Sequence, residues 1–220
     1  DTPKAIFVSA FSKMPLAADF TFVAAGQEED FKLGVKALAK LAKVHVGISP
    51  AQINTAILPL AEAEVGVFDG PNPAGNVGVH INHVSPINKG EVVWTLSAEE
   101  TIFVGRLMRT GKVDLTRRIA VAGSQVKQPA YLQVMLGAPM ADILAGQLAA
   151  TDHVRIIDGN PLVGKKSSLE AFLGAHTTEV CVIPEGDDKH ELFGWIAPRF
   201  NDFSTSHSYF SWLFGSSKKY

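Results

Sequence analysis

Short apolar runs alternate with one long amphipathic segment in the first part of the chain, and this pattern predicts a parallel α/β sheet. Residues 5–10, 20–25 and 44–48 have the length and composition of buried strands. Between the last two, residues 27–43 carry apolar side chains at i, i+4, i+7 and i+11, which predicts an amphipathic helix. Strand, helix and strand at this spacing form a βαβ unit, and such a unit implies parallel strands.

A second helix is predicted over residues 97–109. Ser97 is a favourable N-cap, Glu99 and Glu100 place negative charge in the first turn, and Gly111 closes the helix. The apolar face is less regular than that of the first helix. Its members are Ile102, Leu107 and Met108.

The pattern changes after Lys112, where short strands separated by turns replace the α/β alternation. A hairpin, a short helix and further strands follow one another in the order of a β-grasp fold. We therefore expect a Rossmann-like domain over residues 1–115, a β-grasp domain over residues 116–198 and the start of a C-terminal region over residues 199–220. The predicted elements of the second part are strands at 118–123, 130–134, 154–158 and 179–183 and a helix at 136–144 with Pro139 in its first turn.

Composition excludes several classes of protein. The formal net charge of −2 provides no basic face, so we expect no nucleic acid partner. The single cysteine, Cys181, rules out a disulfide framework or a Cys-ligated Fe–S or zinc cluster within this chain, and its apolar surroundings indicate a buried, inert thiol. We expect no transmembrane helix, because prolines interrupt the longest uncharged stretch, residues 44–61. The polar start without methionine suggests an excised piece of a longer protein.

The candidate site is a loop that follows the strand-like run of residues 65–68. Two prolines fix φ in this loop and two glycines open conformations that other residues avoid, which makes the loop stiff. A strand that ends in a stiff polar loop is where α/β sheets place their ligands. The candidate ligand or partner residues are Asp69, Gly70, Pro73, Gly75, Gly78 and His80.

Other motifs favour structural roles. The turn after residues 20–25 offers only Gly26, followed by three acidic residues that would repel a phosphate, so we predict no dinucleotide signature. Residues 159–165 match Gly-x-x-x-x-Gly-Lys, but Lys166 stands where a P-loop needs Ser or Thr, and we interpret the segment as a turn between strands.

His80 and His83 would share one face of a helix or lie on opposite sides of a strand. They lack a third ligand nearby, and we predict no metal site. The polar run 186–191 indicates a solvated loop. The dense aromatic residues of 193–214 indicate either a core or docking surface, or a contact with quinone or the membrane edge.

Three segments, taken in their order and spacing, resemble the NqrA family, whose members are subunits of the bacterial Na⁺-translocating NADH:quinone oxidoreductase. The resemblance covers essentially the whole chain, and its first and third segments are quite specific. The segments are Phe68–Gly75 with its continuation through His80 and His83, Ile119–Gly123 with Pro129 and Leu136–Ala138, and Glu185–Trp195.

The resemblance implies a peripheral subunit on the cytoplasmic side of the bacterial inner membrane, in a sodium-pumping respiratory complex. It also implies a Rossmann-like domain followed by a ubiquitin-like β-grasp (SLBB-type) domain, as in the related flavin-bearing NADH-oxidising subunit of complex I. In this family the flavins and the Fe–S centre belong to other subunits, so the resemblance implies no cofactor in this chain. NADH and quinone likewise belong to the complex, and members of the NqrA family are associated with quinone binding.

The chain departs from the family pattern in two respects. Asn72 stands where members often carry histidine, which weakens a role for that position. The family's N-terminal region and C-terminal helical region are missing, so a ligand site shared with either would be incomplete here. We expect a cofactor-free scaffold and docking subunit, without an autonomous catalytic site, that helps to shape a quinone site. The alternative is an independent flavin- or nucleotide-binding oxidoreductase domain.

Overall fold

Four parallel strands form the sheet of the first domain in a computed structural model, which describes residues 2–187, 198–200 and 209–214. The predicted βαβ unit is confirmed, because the first two strands pair in parallel with Ile6 opposite Val44. The fourth strand, which the sequence pattern did not predict, lies at the edge beside the first. In the order β3-β2-β1-β4, the strands are β1 (Ala5–Ser9), β2 (Lys43–Ile48), β3 (Ala63–Val67) and β4 (Val93–Ser97).

Helices cover both faces of this sheet. Two of them pack on the face that carries the main apolar core, and their backbones touch where glycines replace larger residues. A Cβ atom on Gly34 would lie 2.0 Å from the carbonyl oxygen of Thr101, and one on Gly105 would lie 1.7 Å from that of Asp30. The helices are α1 (Phe20–Ala24), α2 (Glu28–Leu38), α3 (Val77–Val84) on the opposite face, and α4 (Ala98–Thr110).

Residues 20–25 form helix α1 and not the predicted strand. The side chain of Asp19 accepts a hydrogen bond from the amide of Thr21 at 2.9 Å and so caps the helix. Phe20, Val23 and Ala24 are buried at i, i+3 and i+4. An apolar run of six residues is too short for its periodicity to distinguish a strand from a helix. The N-cap and the packing against the core favour the helix.

The predicted second helix is confirmed as α4, with a complete capping box. The hydroxyl of Ser97 accepts from the amide of Glu100 at 3.1 Å, and the Glu100 carboxylate accepts from the amide of Ser97 at 2.7 Å. The predicted apolar face is wrong in part. Leu107 and Met108 are exposed, and the helix buries Ile102 with the small residues around it.

In the second domain, the described residues form a five-stranded mixed sheet in the order β6-β5-β9-β7-β8. Its first and last strands lie side by side and parallel at the centre, with antiparallel partners outside them, as in a β-grasp fold. Cys181 is fully buried in this sheet, so the predicted burial of the thiol is confirmed, and burial raises its pKa to about 12. The elements are β5 (Thr116–Ala122), β6 (Ala130–Met135), α5 (Met140–Ile143), β7 (Val154–Asp158), β8 (Lys165–Ser167) and β9 (Glu179–Pro184), and a short helix α6 (Ser211–Phe214) follows.

None of the helices in the described part of the chain is long and apolar enough to cross a bilayer. Most of the polar run 186–191 and of the aromatic segment 193–214 falls outside the described residues.

Candidate functional site

A cleft of about 650 Å³ opens at the carboxyl ends of β1 and β4. The chain leaves β1 toward β2 on one side and places β4 on the other, so this cleft marks the topological switch point of the sheet. Such crevices are where open α/β sheets bind ligands. The first turns of α3 and α4 and two residues of the second domain, His176 and Thr178, complete its walls. We call it the switch-point cleft.

The candidate loop is fastened to the end of β1. The hydroxyl of Ser9 donates to the carbonyl oxygen of Gly75 at 2.8 Å. Gly75 is packed against the next turn, where a Cβ atom would lie 2.9 Å from the carbonyl oxygen of Phe11. Glycine is therefore required at this position by close packing.

The six predicted site residues divide into three groups. Gly75 and Gly78 line the switch-point cleft. His80 is buried behind the loop, where its Nε2 lies 2.9 Å from the carbonyl oxygen of Ala74. The other three, Asp69, Gly70 and Pro73, do not line this cleft.

His80 is a structural residue of the loop. Its ring stacks on Phe68 at 4.0 Å and on Phe11 at 5.7 Å between centroids. Since Nε2 faces a carbonyl oxygen it must carry the proton, and Nδ1 is buried with no hydrogen-bond partner among the described residues. Burial lowers the pKa of this imidazole, which therefore stays neutral.

The segment after Gly78 is helical, which settles the alternative left open for the two histidines. His83 is exposed and its Nδ1 lies 2.8 Å from the carbonyl oxygen of Val79. Across the described residues, no three His, Cys, Asp or Glu side chains come together as metal ligands.

The floor of the switch-point cleft is acidic. Glu100 caps α4 and pairs with His176, whose Nδ1 lies 2.7 Å from its carboxylate. Glu99 is buried, and burial raises its pKa to about 7 although Arg117 lies 3.4 Å away and acts in the opposite sense. The first turn of α4 therefore holds negative charge where a bound phosphate would need positive potential.

The other helices of this domain show the same trend. Asp19 caps α1 through its side chain, and the first turn of α2 contains Glu28, Glu29 and Asp30. Among these four helices, only α3 has no acidic side chain at its cap, Asn76, or in its first turn. The geometry of a nucleotide-binding domain is thus combined with electrostatics that oppose phosphate.

The P-loop-like segment 159–165 is a turn that leads from β7 to β8, as predicted. The side chain of Asn160 accepts from the amides of Leu162 at 3.0 Å and Val163 at 3.1 Å. Two amides that a phosphate loop would present to a ligand are therefore already bonded within the turn.

Contacts between the domains were not foreseen from the sequence pattern. The amide of Asp19 donates to the hydroxyl of Tyr131 at 2.8 Å, and the rings of Phe22 and Tyr131 lie 4.4 Å apart. Arg118 donates to the carbonyl oxygens at the end of α1. These partners are about a hundred residues apart in the chain, beyond the reach of local patterns.

Two family models match the chain: the NqrA second alpha/beta domain over residues 1–113 and the NQRA C-terminal domain, of SLBB type, over residues 118–168. Among solved structures, an NAD⁺-reducing [NiFe]-hydrogenase in the air-oxidized state aligns with a TM-score of 0.56 at 15% identity, over 86% of this chain and 41% of that chain. At that identity the likeness concerns the fold alone.

Curated relatives agree with the family models. The NqrA protein of the Na⁺-translocating NADH-quinone reductase of Serratia proteamaculans is 41% identical over 94% of this chain and 46% of its own length. Its counterpart in Neisseria meningitidis serogroup B is 39% identical over 94% of this chain and 46% of its own length. The counterpart in Shewanella frigidimarina is 38% identical over 96% of this chain and 47% of its own length. The chain thus spans about half the length of these relatives. The predicted resemblance is confirmed, and the chain belongs to the NqrA family, the subunits of the Na⁺-translocating NADH-quinone reductase that these relatives represent.

Proposed function

We propose that this chain is part of a peripheral docking subunit of a sodium-pumping NADH:quinone oxidoreductase and holds no redox cofactor of its own. Its partners are the other subunits of the complex, on the cytoplasmic side of the bacterial inner membrane. The relatives' names support the complex. The observation that carries the cofactor-free role is the acidic first turn of α4 at the switch-point cleft.

The electrostatics support this role. A flavin mononucleotide or a nicotinamide dinucleotide brings phosphate charges to helix N-termini. Here the carboxylate of Glu100, whose pKa is lowered by its hydrogen bonds, lines the cleft beside the partly ionised Glu99. The side chain of Asp19 already accepts from an amide at the start of α1. Binding a phosphate at either place would bring like charges together, which is costly in a partly buried site.

We further propose that the switch-point cleft receives the ring of a quinone. Its volume of about 650 Å³ lies in the range of small-molecule sites. Phe11, Phe20 and Leu96 provide apolar wall, while the Ser9 and Thr95 hydroxyls and His176 provide polar groups. A neutral, flat ligand suits these walls better than a phosphorylated one.

The test is an absorbance scan of the purified chain followed by calorimetric titration with FMN, NADH and a soluble quinone. We expect a colourless protein, no heat with either nucleotide in a buffer that contains excess inorganic phosphate to occupy other anion sites, and saturable heat with the quinone. Tight binding of FMN or NADH would contradict the docking role and support the independent oxidoreductase domain.

A pair of variants localises the quinone. Gly78 lines the cleft, and a Cβ atom there meets nothing within 4 Å. Gly78→Phe should therefore fill the cleft and weaken quinone binding about tenfold or more, whereas Gly78→Ala should leave it unchanged. Equal affinities in the two variants would place the quinone elsewhere.

A further inference from the structure

A second cleft, of about 260 Å³, opens where the two domains meet, and we call it the junction cleft. Its walls are almost entirely polar. They come from α4, from β5 and from the turn before α2, so neither domain forms the cleft alone. Four arginines are among its lining residues: Arg106, Arg109, Arg117 and Arg118.

Protein partners fix two of these arginines without using all their donors. Nη1 of Arg118 donates to the last carbonyl oxygens of α1, the shortest bond being 2.6 Å to Ala25. Its Nε and Nη2 donate to no described residue. Arg109 donates from Nε and Nη2 to the carboxylate of Asp30 at 2.6 and 2.9 Å, and its Nη1 likewise finds no acceptor among the described residues.

Arg117 is the most deeply placed of the four, with 2% of its surface exposed. Its Nη1 donates to the carbonyl oxygen of Ala175 at 2.8 Å and its Nη2 to Glu99 at 3.4 Å. The buried Nε has no partner within the described part of the chain. Arg117 and Arg118 are successive residues of β5, so their side chains lie on opposite faces of the strand. Arg117 therefore adds positive charge from the buried side of the cleft and offers no donor within it.

The charges around the junction cleft are only partly balanced. Asp30 is engaged by Arg109, and Asp114 accepts from Thr116 and lies 3.5 Å from Arg106. Behind Arg117 are two more buried carboxyl groups, Glu99 and Glu179. Because burial raises the pKa of Glu99 to about 7, this group is only partly ionised at neutral pH and neutralises Arg117 incompletely.

We propose that the junction cleft binds a small free oxyanion of the phosphate class. Guanidinium groups present their N–H donors in a fork that fits phosphate oxygens, and charge-assisted bonds of this kind are the stronger ones. The anion would accept from the unused donors of Arg109 and Arg118, while the buried Arg106 and Arg117 add positive charge behind them. Binding of this anion does not depend on the proposed function.

The test is calorimetric titration of the chain with inorganic phosphate at low ionic strength. We expect saturable binding that weakens about tenfold or more in Arg118→Gln and in Arg109→Gln, since each loses charge-assisted donors. Asp114→Asn removes a negative charge from the cleft and should tighten binding. Arg109 has a largely exposed side chain, so its variant carries the test if loss of the α1 contacts prevents Arg118→Gln from folding.

Arg155→Gln is the matched control, because it removes one arginine that lies outside the cleft and pairs with Glu185 at 2.7 Å. It should change the affinity less than about twofold. Absence of saturable phosphate binding would overturn the proposal. Equal weakening by the control would also overturn it, since the binding would then be diffuse. Arginine-dependent binding to phosphatidylglycerol vesicles, without binding of inorganic phosphate, would assign the cleft to a lipid headgroup and contradict the free anion.

Discussion

At the scale of single residues, the loop histidine shows how one side chain can be identified from sequence while its role is not. His80 belongs to one of the specific segments of the resemblance, yet it is buried, with both neighbouring aromatic rings against it. Its imidazole bonds to Ala74 of the loop and stacks on Phe11, which follows β1. The sequence left open whether His80 and His83 share one face of a helix. The segment is helical, yet the imidazole of His80 is buried and that of His83 is exposed.

Burial of a neutral imidazole makes the stability of the loop depend on pH. The pKa of His80 is lowered by burial from 6.5, and the hydrogen bond to Ala74 opposes this only in part. The unfolded chain therefore binds a proton more readily, so the contribution of His80 is complete above pH 6.5 and declines as the pH falls below it. We expect the stability advantage of wild type over His80→Gln to shrink between about pH 8 and about pH 5.

Urea denaturation at the two pH values measures this difference. His83→Gln is the control, because it changes an exposed histidine three residues further along the same helix. It should leave the pH trend of wild type unchanged. A gap between wild type and His80→Gln that is the same at both pH values would show that burial of the imidazole has no protonation cost.

At the scale of elements, local chemistry predicted the ends of α4 better than its buried face. The capping box and Gly111 lie within a few residues of the helix ends, so the sequence contains them completely. The buried face depends on which helix packs against it. The contact with α2 is made through glycine, which no hydrophobic pattern includes, whereas the predicted Leu107 and Met108 face outward.

The crossing of α2 and α4 should be intolerant of any side chain at its closest point. Alanine at position 105 would place Cβ 1.7 Å from the carbonyl oxygen of Asp30, so the helices must separate. We expect Gly105→Ala to destabilise the chain by about 3 kcal/mol or more, although alanine alone favours a helix by about 1 kcal/mol over glycine. Thermal and urea unfolding measure the loss.

Met108→Ala serves as the control on the same helix. Its side chain is 56% exposed, so truncation should change the free energy of unfolding by less than about 0.5 kcal/mol. If Gly105→Ala were as mild as Met108→Ala, the close helix crossing would be contradicted. If Met108→Ala lowered the free energy of unfolding more than Gly105→Ala did, the result would support the apolar face that the sequence predicted for α4.

At the scale of the whole molecule, the division into two sheets can be predicted from the change of pattern along the chain. The contacts between the two domains cannot be predicted in this way. Strand runs of the second part were predicted to within a few residues, with β8 missed because three residues carry too little pattern. The domain limits at residues 115 and 198 stay predictions. The junction joins Arg117 to Glu99 and Arg118 to α1, and such pairs depend on the folded topology.

The buried carboxyl group at the junction gives a pH dependence opposite in sign to that of His80. The pKa of Glu99 is raised by burial from 4.5 to about 7, so the folded chain binds a proton more readily than the unfolded one. Its contribution is favourable below pH 4.5 and is lost as the pH rises toward 7. Glu99→Gln keeps the shape and an acceptor for Arg117 but removes the ionisation.

We therefore expect Glu99→Gln to gain stability relative to wild type as the pH rises from about 5 to about 8, by at most about 3 kcal/mol. Glu100→Gln is the control on the next residue. Burial alone would raise the pKa of Glu100, but hydrogen bonds from Ser97 and His176 together lower it from 4.5. The stabilisation by ionised Glu100 is therefore lost only below pH 4.5, and Glu100→Gln should be less stable than wild type without gaining on it between about pH 5 and about pH 8. Parallel trends in the two variants would contradict a protonated Glu99 at the junction, and Arg117 would then face a fully ionised partner.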